Sequence, residues 1–320
     1  MQTVEKCDGN RQQASCLARG GFIGRAGNGS ATSELSVRPK RSAAKCVPWA
    51  GEAMENICEI NNSKTVDLFL FMGQSNMAGR GIVSEKWAQP APVVIEGAGY
   101  EYRAISAPDK LSPLTEPFGR LENTEDGIND GDMKTGSLVT AFVNACYQKT
   151  GVPIVAISAS KGGSSILQWQ PGTPYLSDTL SRLAKARSFL EKEGIFIRHT
   201  FMLWCQGETD GDHHMTAGDY QSYFLQMWEH MKKEGVEKCF LIRIGRYNGG
   251  EKISYADIRQ AQEALAQTVP EVVMVSRKFA EMKTRGLMKD EFHYYQQAYN
   301  EVGIQAGENT AEYIRTESGL

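Results

Sequence analysis

A near-continuous apolar run, Val66-Asp67-Leu68-Phe69-Leu70-Phe71-Met72, stops at Gly73 and gives way to the polar turn Gln74-Ser75-Asn76. Apolar residues at both parities of so short a run predict a strand buried on both faces. Beyond it, from Ile82 to Lys134, the periodicity is lost, and Pro90, Pro92, Pro108, Pro113 and Pro117 interrupt the chain. From Ser137 onward two periods alternate. Leu138, Val139, Phe142, Val143 and Cys146 mark a helix, residues 153–159 a strand, Leu180, Leu183, Ala184 and Leu190 a helix near 177–193, and residues 199–205 a further strand. Behind a Thr216 cap, Tyr220, Tyr223, Phe224, Met227 and Met231 recur at helical spacing, which is a core stripe. A strand at 239–244 follows. Ser254 with Asp257 resembles a capping box before a helix buried through Ile258, Ala261 and Leu265; a strand at 272–276 and a closing helix from about 294 to 309 complete the pattern.

Strands alternating with helices imply right-handed crossovers and a parallel sheet covered on both faces. The expected fold is therefore α/β, a three-layer α/β/α sandwich around a five-stranded parallel sheet. Residues 64–320 make up this domain, and residues 1–63, poor in aromatics and without a sustained period, read as a poorly ordered leader with a short helix at most near 51–60. The segment 82–134 is long for a connection inside a compact domain; it either shapes a binding site or is a surface excursion.

Polar clusters follow four of the strands: Gln74-Ser75-Asn76, Lys161-Gly162-Gly163-Ser164, Gln206-Gly207-Glu208-Thr209-Asp210, and Asp290-Glu291-Phe292-His293. Parallel strands bring their carboxyl ends to one rim, so residues far apart in sequence converge there. Taken alone, Ser75 reads more readily as a helix cap than as a nucleophile. With a base and an acid on the same rim, the set becomes a serine, a histidine to take its proton and an aspartate to hold the imidazole. A spacing of three puts Asp290 and His293 on one face of an opening helical turn. Glu208 is the reserve for the orienting acid. Gly162-Gly163 either lets main-chain N–H groups approach an oxyanion or makes a tight turn, and its spacing fits no phosphate-binding loop. Gln206 offers amide donors to the same oxyanion. Gln74 and Asn76 flank Ser75 as support or substrate contacts, and Glu208 and Asp210 are suited to holding Gln206 or its loop.

Composition narrows the partners. A chain of 320 residues with net charge −3 and a pI near 6.0 carries no basic footprint for nucleic acid. No apolar run has the length of a membrane span, and the N-terminus lacks the apolar core of a secretory signal, compatible with a cytoplasmic protein or with one whose signal was removed. Of seven cysteines, Cys146, Cys205 and Cys239 fall inside apolar elements, while Cys7, Cys16, Cys46 and Cys58 lie in the leader at spacings that fix no pairing. His213-His214 matches no zinc spacing and reads as a solvated loop. No metal and no cofactor are called for.

Taken together, Gly73-Gln74-Ser75-Asn76-Met77, Gly162-Gly163-Ser164, Trp204-x-Gln206-Gly207-Glu208-x-Asp210 and Asp290-x-x-His293 resemble the SGNH hydrolases, in the branch of carbohydrate esterase family 6 acetylxylan esterases and sialic-acid-specific acetylesterases. The resemblance spans roughly 66–307. It implies Ser75 as nucleophile, His293 as base and Asp290 as its partner. It places the N–H groups of Ser75 and Gly163, with the Gln206 side chain, around the oxyanion; the superfamily usually has Asn at that third position. It implies deacetylation of O-acetylated carbohydrate, with xylan as the first sugar and sialate or another small sugar as the alternative; a carbohydrate-binding module without turnover is the reading of a different class. Trp169 is then either a stacking platform or a buried core aromatic, and Arg80 and Arg246 are candidates to bind a carboxylate or sugar hydroxyls, with a surface charge as the equal reading of Arg80.

Overall fold

The computed structural model describes residues 65–250 and 253–317. The expectations for the leader and its four cysteines lie outside these residues. Seven strands and eight α-helices occur among the described residues: β1 (Thr65–Gly73), α1 (Ser75–Ala78), β2 (Gly99–Tyr102), β3 (Leu111–Pro113), α2 (Val139–Thr150), β4 (Ile154–Ser160), α3 (Pro174–Lys192), β5 (Phe196–Cys205), α4 (Glu208–Asp212), α5 (Ala217–Lys233), β6 (Lys238–Ile242), α6 (Ala256–Thr268), β7 (Val272–Ser276), α7 (Phe279–Met282) and α8 (Gln296–Glu317).

The sheet order is β3-β2-β4-β1-β5-β6-β7, parallel except where β3 pairs antiparallel with β2. All five expected strands are present. The sheet is wider than expected because the 82–134 segment supplies β2 and β3 at one edge, four and three residues long and too short to leave a period in the sequence. β1 sits at the centre, and its alternation divides the core. Val66, Leu68, Leu70 and Met72 pack with residues of α3, α5 and α6, while Phe69 and Phe71 pack with residues of α2 and α8. The result is the three-layer α/β/α sandwich.

Two local expectations differ. The helix after Ser254 starts at Ala256 with Tyr255 as its cap residue and no side-chain cap bond; Ser254 Oγ accepts instead from the Ala256 N–H at 3.2 Å. α8 begins at Gln296, so Asp290 and His293 precede it in a loop. Cys146, Cys205 and Cys239 are free and buried, as read from their apolar surroundings. No helix among the described residues is long and apolar enough to cross a membrane.

Candidate active site

The end of β1 is shaped by contact between backbones. Gly73 has φ +137°, and a Cβ there would lie 2.0 Å from the Cys205 carbonyl oxygen on β5, so only glycine fits. The Gln74 N–H then donates to that same oxygen at 3.0 Å, and the chain turns into α1 with Ser75 as its first residue. Ser75 is 6% exposed. Its Oγ lies 2.9 Å from His293 Nε2, and His293 Nδ1 lies 3.0 Å from Asp290 Oδ2.

The loop that carries the histidine is built by the aspartate. Asp290 Oδ1 accepts from the N–H groups of Phe292 and His293 at 2.8 and 2.7 Å, and an isolated bridge between Met288 and Tyr294 closes the loop. The pair thus meets through a side-chain-capped turn, where the spacing had predicted a helical one. Burial raises the Asp290 carboxyl, but the two amide hydrogens and the imidazole outweigh it, so its pKa lies below the usual carboxylate value. An ionised Asp290 keeps a hydrogen on Nδ1, which leaves Nε2 free to accept from Ser75. Burial lowers the His293 pKa below 6.5, with Asp290 opposing part of the effect. The imidazole is therefore neutral near pH 7, the form a base requires.

Among the described residues, the N–H groups of Ser75 and Gly163 have no acceptor. Gly163 has φ +71°, is exposed, and has open space where a Cβ would stand. Both main-chain donors are thus uncommitted within the described residues, as an oxyanion site requires. Gly162 packs against Arg80, whose Nη2 a Cβ would meet at 2.4 Å.

The structure does not bring Gln206 to that oxygen. Its amide is fully buried and donates to the Ser164 carbonyl at 2.9 Å and to the Asp210 carboxylate, while Oε1 accepts from the Tyr220 hydroxyl at 3.1 Å. Both amide hydrogens are used in tying the end of β5 to the Gly162-Gly163 turn. Asp210 does hold Gln206, as the sequence suggested. Gln74 is placed differently. Its Oε1 accepts from the N–H groups of Gly207 and Thr209 at 3.0 and 3.3 Å, and its Nε2 has one long contact, 3.4 Å to Thr209 Oγ1. One of its amide hydrogens therefore has no acceptor among the described residues.

Glu208 makes no bond to His293. It accepts from Asn76 Nδ2 at 2.6 Å, Asn76 Nδ2 also donates to the Phe292 carbonyl at 3.1 Å, and the Tyr299 hydroxyl donates to Asn76 Oδ1 at 2.7 Å. Trp169 is fully buried, donates to Ser164 Oγ at 3.0 Å and meets Trp204 edge-on at 5.7 Å. It is a core residue and offers no face to a sugar. Arg80 is 6% exposed and bound to Asp130 at 2.6 Å and to the Gly79 carbonyl at 3.2 Å. Arg246 is exposed on the loop after β6 and makes no hydrogen bond or ion pair among the described residues. His213 and His214 are exposed at the end of α4, and no cluster of metal-ligating side chains occurs among the described residues.

Sequence reasoning missed Asp130 and Tyr299. Asp130 lies in the proline-rich segment, and only its pairing with Arg80, fifty residues away, marks it. Tyr299 sits on the inner face of α8 and carried no signal beyond that helix's apolar stripe.

The family model described as carbohydrate esterase, sialic acid-specific acetylesterase matches residues 65–312. No curated protein sequence matches the chain. Among solved structures, a protein from Arabidopsis thaliana is similar at 22% identity and a TM-score of 0.58, over 77% of this chain and 97% of that one. A carbohydrate acetylesterase from Xanthomonas citri is similar at 15% identity and a TM-score of 0.51, over 79% of this chain and 57% of that one. At these identities the two likenesses concern the fold.

Proposed function

Because the chain belongs to the carbohydrate esterase family of sialic acid-specific acetylesterases, we propose that it removes O-acetyl groups from a neutral acetylated polysaccharide or its oligosaccharides, with acetylated xylan as the substrate. The reading is supported above all by the continuous line from Ser75 Oγ through His293 to Asp290, with contacts of 2.9 and 3.0 Å. A binding module has no use for such a line.

Ser75 Oγ attacks the acetyl carbonyl as its proton passes to His293 Nε2, forming the Oγ–C bond and an oxyanion. The N–H groups of Ser75 and Gly163 stabilise that oxygen. The third donor is the Gln74 amide, since both hydrogens of Gln206 are committed elsewhere. Collapse breaks the bond to the sugar oxygen, which takes the proton from His293 and leaves as the alcohol. Water, deprotonated by His293, then attacks the acetyl-Ser75 ester and releases acetate. Asp290 stabilises the imidazolium in both halves.

The Arg80–Asp130 ion pair favours a neutral sugar. A sialate carboxylate would compete for a guanidinium that already has a buried carboxylate partner. The test is acetate release from acetylated xylan by the protein and by Ser75→Ala, with an aryl acetate as control. Release by the protein alone is expected. Cleavage of only the aryl acetate would make the sugar wrong, and activity in the variant would make the mechanism wrong.

A further inference from the structure

Asn76 has three side-chain hydrogen bonds, and they join three parts of the site. One amide hydrogen goes to Glu208 on α4 at 2.6 Å, the other to the carbonyl of Phe292 at 3.1 Å, and Oδ1 receives the Tyr299 hydroxyl of α8 at 2.7 Å. Asn76 directly follows Ser75, and Phe292 directly precedes His293. The 2.9 Å contact between Ser75 and His293 is thus spanned by a second, buried connection one residue away on each side. Glu208 itself is 3% exposed, and its Oε2 has no partner among the described residues. A buried carboxylate with an unpartnered oxygen is costly, and an acceptor for Asn76 alone could be a neutral amide.

We propose that Glu208 is a positioning residue for the base: by fixing the Asn76 amide it holds the Phe292 carbonyl, and with it the Asp290–His293 loop, at the distance from Ser75 that proton transfer requires. The inference rests on the reading of Ser75 as nucleophile and His293 as base. It adds a residue that touches neither the substrate nor the imidazole. Without Glu208, Asn76 loses the partner that orients its amide, and the Phe292 carbonyl loses its fixed donor. Chemistry suffers while substrate binding does not, because a misplacement of the order of 1 Å in a reacting pair costs about 100-fold.

The environment of Glu208 gives this role a pH signature. Burial raises its pKa to about 7, with Asn76 opposing and Asp212 and Asp210 adding to the rise. Cys205, Tyr220, Tyr255, Tyr294 and Tyr299 also feel its charge, and burial pushes all of them upward and keeps them neutral in this range. Glu208 is therefore the group of this cluster that ionises near neutrality. Its carboxylate accepts more strongly from Asn76 than its acid does, so the loop is held better above pH 7 than below.

The experiment uses Glu208→Ala and Glu208→Gln in the full chain, with an aryl acetate as substrate and an organophosphonate to count reactive Ser75. The expected result for Glu208→Ala is kcat per titrated site lowered about 10- to 100-fold with KM little changed. Glu208→Gln, which like the protonated acid keeps a neutral oxygen for Asn76, recovers only the lower rate expected of the unaltered protein below pH 7, and its profile of kcat/KM against pH lacks the rise expected near 7 for the unaltered protein. A normal kcat per titrated site in Glu208→Ala with only a lower Tm overturns the proposal. So does a Glu208→Gln profile that keeps the rise near 7, a comparison that stands even where Glu208→Ala does not fold. A failure of the underlying reading shows separately, as activity that survives Ser75→Ala.

Discussion

Asp290→Asn changes one atom and reverses the direction of a hydrogen bond. Asp290 Oδ1 holds the loop through the Phe292 and His293 amide hydrogens at 2.8 and 2.7 Å, and only an oxygen can do this. The side-chain amide of the variant is thereby oriented with its NH2 group toward His293 Nδ1, at the 3.0 Å position that Oδ2 held. A donor there requires Nδ1 to accept, which moves the imidazole hydrogen to Nε2. Nε2 then faces Ser75 Oγ as a donor and is no longer a base. The same wrong tautomer in a serine-protease triad lowers kcat by roughly 10⁴, equivalent to about 5.5 kcal/mol of transition-state stabilisation. Stability changes far less, by about 1 kcal/mol, because the two loop bonds persist. The assay is hydrolysis of an aryl acetate over a range of pH, with thermal unfolding in parallel. A folded variant that loses less than tenfold in kcat would refute the reasoning, since it would show that Asp290 does not set the tautomer.

Gln74→Ala lowers kcat by about 100- to 1,000-fold with a smaller effect on KM, the cost of one oxyanion donor; an unchanged kcat, measured with the aryl acetate, removes Gln74 from that role. Trp169→Phe lowers Tm through loss of core packing but leaves KM for acetylated xylan unaltered; a raised KM in a protein of normal Tm would restore the stacking platform. With His293 below its ordinary pKa, activity needs the neutral imidazole and is lost as pH falls through that lowered value, so in Glu208→Gln, which removes the Glu208 titration, half of kcat/KM is reached below pH 6.5. A half-point above 6.5 contradicts the dominance of burial at His293.

The parts of this site legible in the sequence are those fixed by topology. Parallel strands must present their carboxyl ends together, so Ser75, Gly162-Gly163, Gln206-Glu208 and Asp290-His293 could be placed on one rim from the alternation of periods alone. The central strands were legible because burial on both faces leaves runs such as 66–72. β2 and β3 were not, since four and three residues at a sheet edge carry no pattern. That the Gln206 amide is already committed was also beyond the sequence. Gln74 and Gln206 offer the same amide at the ends of adjacent strands, and what separates them is that Asp210, Ser164 and Tyr220 close around one of them. Trp169 and Arg80 stayed open between two roles for a related reason. Residue type shows what each can bind, whereas Ser164, Trp204 and Asp130 had already bound them.

The central claim is that acetyl passes through Ser75. The most direct measurement is to mix the protein with an acetylated substrate, quench in acid before turnover is complete, and map the acylated peptide by mass spectrometry. The account predicts one acetyl group on the peptide that contains Ser75, and none when Ser75→Ala is treated in the same way. Acetate released with no acetyl on Ser75, or the same acetyl-peptide signal on another residue, would contradict it.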